Sequence, residues 1–230
     1  HPNANEWFNR PTPEGFQAAL QKPKGLADLD VLLAPDDPET LQRAAARAPA
    51  AGDSIQQLVF AAYSFNYGAI LLDLPPFADS MWAVQPILSA NVAVLVGRPT
   101  VHDQFASIRA YRLFTEQLVA QHRVPLEAIF AVLNMAGPDG NLSEQDFQGG
   151  IANHIGRFPP ILATFPYTGK LPAVQNQGDS PVFASGCEAF AKATRSLATK
   201  LIGGTPLTSS SNGSEPRGWL GRLGITVKVK

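Results

Sequence analysis

Short apolar runs recur along the chain: Val31-Leu32-Leu33, Ala69-Ile70-Leu71-Leu72, Val92-Ala93-Val94-Leu95-Val96, Ile129-Phe130-Ala131-Val132-Leu133 and Ile161-Leu162-Ala163. Each is too short for a buried helix, and none alternates with polar residues. Continuous runs of this kind are what strands covered on both faces require. Between them the spacing turns helical, most clearly at Ile108, Tyr111, Phe114 and Leu118 within residues 102–122. Alternating strand and helix predicts a three-layer α/β/α domain with a mostly parallel sheet. Pro75-Pro76, Pro99, Pro125, Gly137-Pro138-Asp139-Gly140 and Pro159-Pro160 fall at or between the inferred element ends, which supports the same parsing.

The pattern fades after Ile202. Residues 203–218 have the Ser, Gly and Pro content of a flexible linker, so the globular domain is expected over residues 1–202. Residues 219–230 form a basic and hydrophobic tail in which Trp219, Leu220 and Leu223 offer a membrane-surface contact. Two glycines there make a weak helix, and a solubilising tail is the competing reading. At the other end the sequence opens with neither the basic start nor the apolar stretch of a signal peptide, and no apolar run approaches the roughly 18 residues of a bilayer span. A cytoplasmic protein is the expectation.

Charge and composition narrow the classes further. Eighteen Lys and Arg stand against 19 Asp and Glu, a formal net charge of −1, so there is no bulk basic excess for holding nucleic acid. The single cysteine, Cys187, cannot form an internal disulfide, and His1, His102, His122 and His154 have no zinc-ligand spacing. A disulfide scaffold and a structural zinc module are both excluded. There is no G-x-S-x-G nucleophile elbow, and Cys187 reads as a small buried residue of a C-terminal helix. Asp36-Asp37-Pro38-Glu39 reads as a helix N-cap with acids in the first turn.

Chemistry enters at three places. In Tyr67-Gly68-Ala69-Ile70-Leu71-Leu72-Asp73-Leu74-Pro75-Pro76, four apolar residues deliver Asp73 to the expected carboxyl end of a strand, where open α/β sheets bind ligands. This is the Walker B pattern, in which one carboxylate suffices to hold a hydrated Mg²⁺ beside nucleotide phosphates. The same residues also suit an aspartate that ends a strand and bonds the next turn. Asn134, after the run 129–133, has an amide able to meet a purine edge or to bond its own backbone. Phe165-Pro166-Tyr167 after the run 161–163 is a strand exit that could line a base pocket.

Taken in order, Tyr67 to Pro76, Asn134 after its strand, Phe165-Pro166-Tyr167 and Gln177-Gly178-Asp179-Ser180-Pro181 resemble the MinD/ParA group of deviant-Walker P-loop ATPases. Asp73-Leu74-Pro75-Pro76 is similar to the switch segment of its CpaE/TadZ pilus-assembly branch, and the resemblance covers residues 7–202. It implies ATP held in a homodimer, Mg²⁺ bound through Asp73 as the catalytic and metal residue, and adenine bordered by Asn134, Pro166 and Tyr167. It further implies a switch over residues 74–79, a partner-facing surface at Asp79, Met81 and Trp82, and a role in placing a pilus or secretion apparatus through protein partners. A ParA-like role in chromosome or plasmid partitioning would need basic patches that the balanced composition does not advertise.

One departure bears on activity. No Gly-Lys-Ser or Gly-Lys-Thr occurs, and the only Gly-Lys, Gly169-Lys170, precedes leucine, so the phosphate-cradling Walker A loop is lacking. The resemblance places that loop, with its strands and helix, in about 40 residues ahead of His1. Without it the chain is expected to hydrolyse nothing, and a pseudo-ATPase interaction module is the alternative.

Overall fold

The computed structural model describes residues 3–23, 26, 28–34, 39, 51–74, 86–120, 125–137 and 141–202. They divide between Ala90 and Asn91 into two compact units.

The N-terminal unit contains α1 (Ala4–Asn9), α2 (Pro13–Ala19), β1 (Leu20–Gln21), β2 (Val31–Leu32) and α3 (Ala51–Ser64). Thr12 starts α2 by accepting the Gly15 N–H at 3.2 Å, and Pro13 follows it in the first turn, where its missing N–H costs nothing. Trp7, Phe16, Ala19 and Ala62 form a buried core, with Leu32, Leu58, Phe65, Tyr67 and Ile70 packed around it.

Two expectations fail in this unit. The Val31 run pairs antiparallel with β1, Leu20 opposite Leu32 and Gln21 opposite Val31, instead of joining a parallel sheet. The intervening residues 22–30 are too few for the helical crossover that parallel neighbours need, so the chain turns back on itself. The Ala69 run, expected as the strand that delivers Asp73, forms no ladder at all. Ile70 packs on the core while Leu71 is 88% exposed, so only one side of the run is covered and the two-faced burial of a central strand is not met.

The C-terminal unit follows the expectation closely. It holds a sheet of three parallel strands in the order β3 (Ala93–Gly97), β4 (Ile129–Ala136), β5 (Ile161–Pro166). Ile129 to Leu133 are all buried, as a continuous apolar run in the central strand should be. The chain crosses from β3 to β4 through α4 (Val101–Leu113) and from β4 to β5 through α5 (Glu144–Ile155). Leu133, Ile108, Phe147 and Ile151 join these helices to the sheet in one core.

The helix expected over 102–122 ends as α-helix at Leu113 and widens into a π-helical segment, Phe114–Val119. At the junction the Thr115 hydroxyl lies 3.0 Å from the Tyr111 carbonyl and 3.1 Å from that of Arg112, a local competitor for the helix's own acceptors. Gly156 closes α5 at φ 75°, a left-handed conformation that glycine adopts without strain. After β5 come α6 (Leu171–Asn176) and α7 (Glu188–Ile202), the latter resting on β5 with Phe165 and Phe190 ring centroids 5.1 Å apart. Cys187 is buried immediately before α7, as its sequence context suggested.

Candidate functional site

Parallel strands deliver their following loops to one edge, so the exits of β3, β4 and β5 share the carboxyl end of the sheet. At the exit of β3, Arg98 binds Asp103 through its backbone N–H (2.8 Å), Nε (3.0 Å) and Nη2 (3.3 Å). Between them Thr100 accepts the Asp103 N–H at 3.2 Å and caps α4. The bonded guanidinium holds the Asp103 carboxyl below the usual range, outweighing the opposite effect of burial, and Arg98 is shifted up in return. The Pro99 carbonyl accepts the Leu142 N–H at 2.7 Å, which ties the loop after β3 to the one after β4.

The exit of β4 carries strain. Met135 has φ 58°, unusual for a residue with a Cβ. Its N–H is held by the Asn134 Oδ1 at 2.9 Å and its carbonyl by the Asn141 Nδ2 at 3.1 Å. Pro166 pairs with Ala136 in the ladder, and the Tyr167 N–H donates to the Ala136 carbonyl at 2.7 Å. Asn134, Pro166 and Tyr167 therefore stand on adjacent strand ends, with Tyr167 56% exposed. Asp73 belongs to the N-terminal unit, where it is exposed at the end of the unladdered segment.

The Asn134 carbonyl oxygen accepts the Met135 N–H, so its Nδ2 is the group that would meet an acceptor atom of a purine, with Pro166 and Tyr167 on the neighbouring strand end. The sequence has no Gly-Lys-Ser/Thr loop, and no group of three or more metal-ligating side chains occurs among the described residues. The switch residues 75–79 and the surface residues Asp79, Met81 and Trp82 lie outside the described residues, as do the linker and the tail with Trp219, Leu220 and Leu223.

Sequence reasoning missed Arg98, Asp103, Met135 and Asn141. A signal existed for the first pair, since Thr100 followed three residues later by Asp103 is a helix-start pattern. None existed for Met135, because a positive φ at methionine is imposed by the surrounding loop.

No family model and no curated protein matches the sequence. Solved structures do. The cell division ATPase MinD of Pyrococcus furiosus superposes with a TM-score of 0.64 at 17% identity, over 86% of this chain and 77% of that one. The MinC:MinD cell division complex of Aquifex aeolicus gives 0.61 at 21% identity, over 92% and 76%. The septum site-determining protein MinD of Pyrococcus horikoshii, complexed with Mg-ADP, gives 0.62 at 18%, over 81% and 68%. The fold is that of MinD. Identities this low establish the MinD fold and not its activity, which belongs to the site rather than to the architecture. Among the described residues no helix is long and apolar enough to cross a membrane.

Proposed function

We propose that the chain is the base-binding and partner-binding part of a MinD/ParA-type positioning ATPase, cytoplasmic and peripheral at the inner membrane. In this reading ATP and Mg²⁺ lie between two copies of the protein, Asp73 holds the ion, and nucleotide state switches association with a polar assembly. The observation that carries it is the meeting of Asn134 with Pro166 and Tyr167 at the carboxyl edge of a parallel sheet of MinD fold, where such sheets take their ligands. The Mg-ADP and MinC named with two of the solved MinD structures support the nucleotide and partner halves of the reading. Asp73-Leu74-Pro75-Pro76 supports the finer assignment to the CpaE/TadZ branch and to pilus or secretion assembly.

A second reading is favoured by a specific observation. Asp73 stands exposed outside any strand, and the sequence has no Walker A loop, which suits a pseudo-ATPase that works by protein contacts.

Calorimetric titration separates the readings. With the base wall but no phosphate cradle, adenosine and Mg-ATP are expected to bind this chain alike, with Kd of about 1 mM or weaker. Tyr167→Ala should weaken both by about tenfold through loss of stacking. No saturable binding of adenosine would reject the base site, and micromolar Mg-ATP would show a phosphate grip that the sequence does not reveal. In a protein that also carries the glycine loop, Asp73→Ala should abolish turnover; unchanged turnover would remove Asp73 from its role.

A further inference from the structure

One face of α4 is basic although the chain as a whole carries a net charge of −1. His102, Phe105, Arg109 and Arg112 are spaced to project from a single side of the helix, and all are exposed, Phe105 by 54% and its neighbour Val101 by 56%. The buried residues Ile108, Ala110 and Tyr111 occupy the other sides.

The end of α5 extends this face. Gln104 bridges the two helices by donating to the carbonyls of Asp146 (3.2 Å) and Phe147 (2.9 Å), in the space that Gly150 leaves by having no Cβ. Arg112 Nη2 reaches the His154 carbonyl at 3.4 Å, and the Phe105 and His154 rings lie 6.0 Å apart.

Three of the acids nearby are turned away from this face, and Glu116, four residues after Arg112, offsets part of its charge. Asp103 is turned to Arg98. Glu144 and Asp146 sit at the opposite end of α5, where Thr164 donates to Glu144 at 2.8 Å and Ser143 to Asp146 at 2.6 Å. Glu116, on the π-helical segment, is the acid on the α4 side itself.

We propose that the α4–α5 face docks an acidic segment of a partner protein, with Arg109 and Arg112 receiving its carboxylates and Phe105 its apolar anchor. Arginine beside an exposed aromatic is the composition of protein-binding hot spots. The stripe from His102 to Arg112 is about 15 Å long, the reach of four or five extended residues. A duplex offers the face only phosphates, and two arginines in a chain of net negative charge form a short track for counterion release. The partner half of the proposed function is what this surface would serve, and the assay below contains no nucleotide, so its outcome is separate from that of the nucleotide titration.

The test is fluorescence anisotropy at low salt with a labelled peptide of glutamates and leucines. Saturable binding is expected, weakened about tenfold by Arg109→Glu with Arg112→Glu and about as much by Phe105→Ala. Arg109→Glu alone, which breaks no bond described above, should weaken it severalfold, while Lys192→Glu with Arg195→Glu on α7 should leave it unchanged. Circular dichroism confirms that each variant is folded. Peptide binding indifferent to the α4 substitutions would overturn the proposal. So would Arg109-dependent binding of a mixed-sequence DNA duplex or of phosphatidylglycerol vesicles without binding of the peptide.

Discussion

Tyr67 donates its hydroxyl to the carboxylate of Asp30, 2.8 Å away and 37 residues earlier in the chain. Asp30 also takes the Lys22 ammonium at 2.8 Å. Lys22 follows β1 and Asp30 precedes β2, so the bond fastens the segment leading to Asp73 onto the small hairpin of the N-terminal unit. A segment with no ladder is thus anchored at its start by a side chain.

This contact gives stability a pH dependence at both extremes. Burial first, then the bond to and charge of Asp30, push the Tyr67 phenol up to about 12. The bond from Lys22 and then that from Tyr67 hold the Asp30 carboxyl below its ordinary value. In the unfolded chain the two return to about 10 and about 3.9. The raised phenol therefore stabilises the fold below about pH 10, and the contribution is lost as pH rises through its folded value of about 12. The lowered carboxyl contributes above about pH 4 and is lost as pH falls through its folded value. Tyr67→Phe keeps the ring and should cost about 1 kcal/mol at neutral pH, the gap narrowing above about pH 10. Identical urea midpoints for the two proteins between neutral and alkaline pH would mean that the bond contributes nothing.

Two leucines that look alike in sequence should behave differently. Leu133 is 1% exposed and Leu71 88% exposed, though both lie in apolar runs. Leu133→Ala is expected to cost about 3 kcal/mol through the cavity it leaves, whereas Leu71→Ala should stay within about 0.5 kcal/mol. Denaturant unfolding of the two variants checks this, and a comparable loss at both positions would restore the buried strand at residues 69–72.

Strain at Met135 is a third test. At φ 58° a β-branched residue meets its own backbone, while asparagine tolerates the conformation. Met135→Val should unfold about 1–2 kcal/mol more easily than Met135→Asn. Equal thermal midpoints would show that the turn after β4 relaxes freely.

Legibility followed the physics of burial. The runs at 92–96, 129–133 and 161–163 became β3, β4 and β5, paired in one three-stranded sheet, the central run buried throughout and the flanking runs only in part, with Val96 67% exposed. The runs at 31–33 and 69–72 are similarly apolar, yet one forms half of an antiparallel pair and the other has no strand partner among the described residues. Their composition says that they are apolar; pairing depends on which strands lie alongside. Asn134, Pro166 and Tyr167 were singled out by their place after apolar runs, and they stand on adjacent strand ends. Arg98 and Asp103 were not, because an exposed ion pair across a helix start has no apolar period to reveal it.

The alternation of apolar and helical stretches, which is local chemistry repeated along the chain, determined by itself that parallel strands and crossover helices would form. Only the tertiary structure decided that Asn134 turns its carbonyl oxygen onto Met135, that Leu71 faces solvent, and that His154 of α5 comes beside Phe105 of α4. Each of those outcomes depends on how separate elements meet, and the distance between elements is not a property of any one segment.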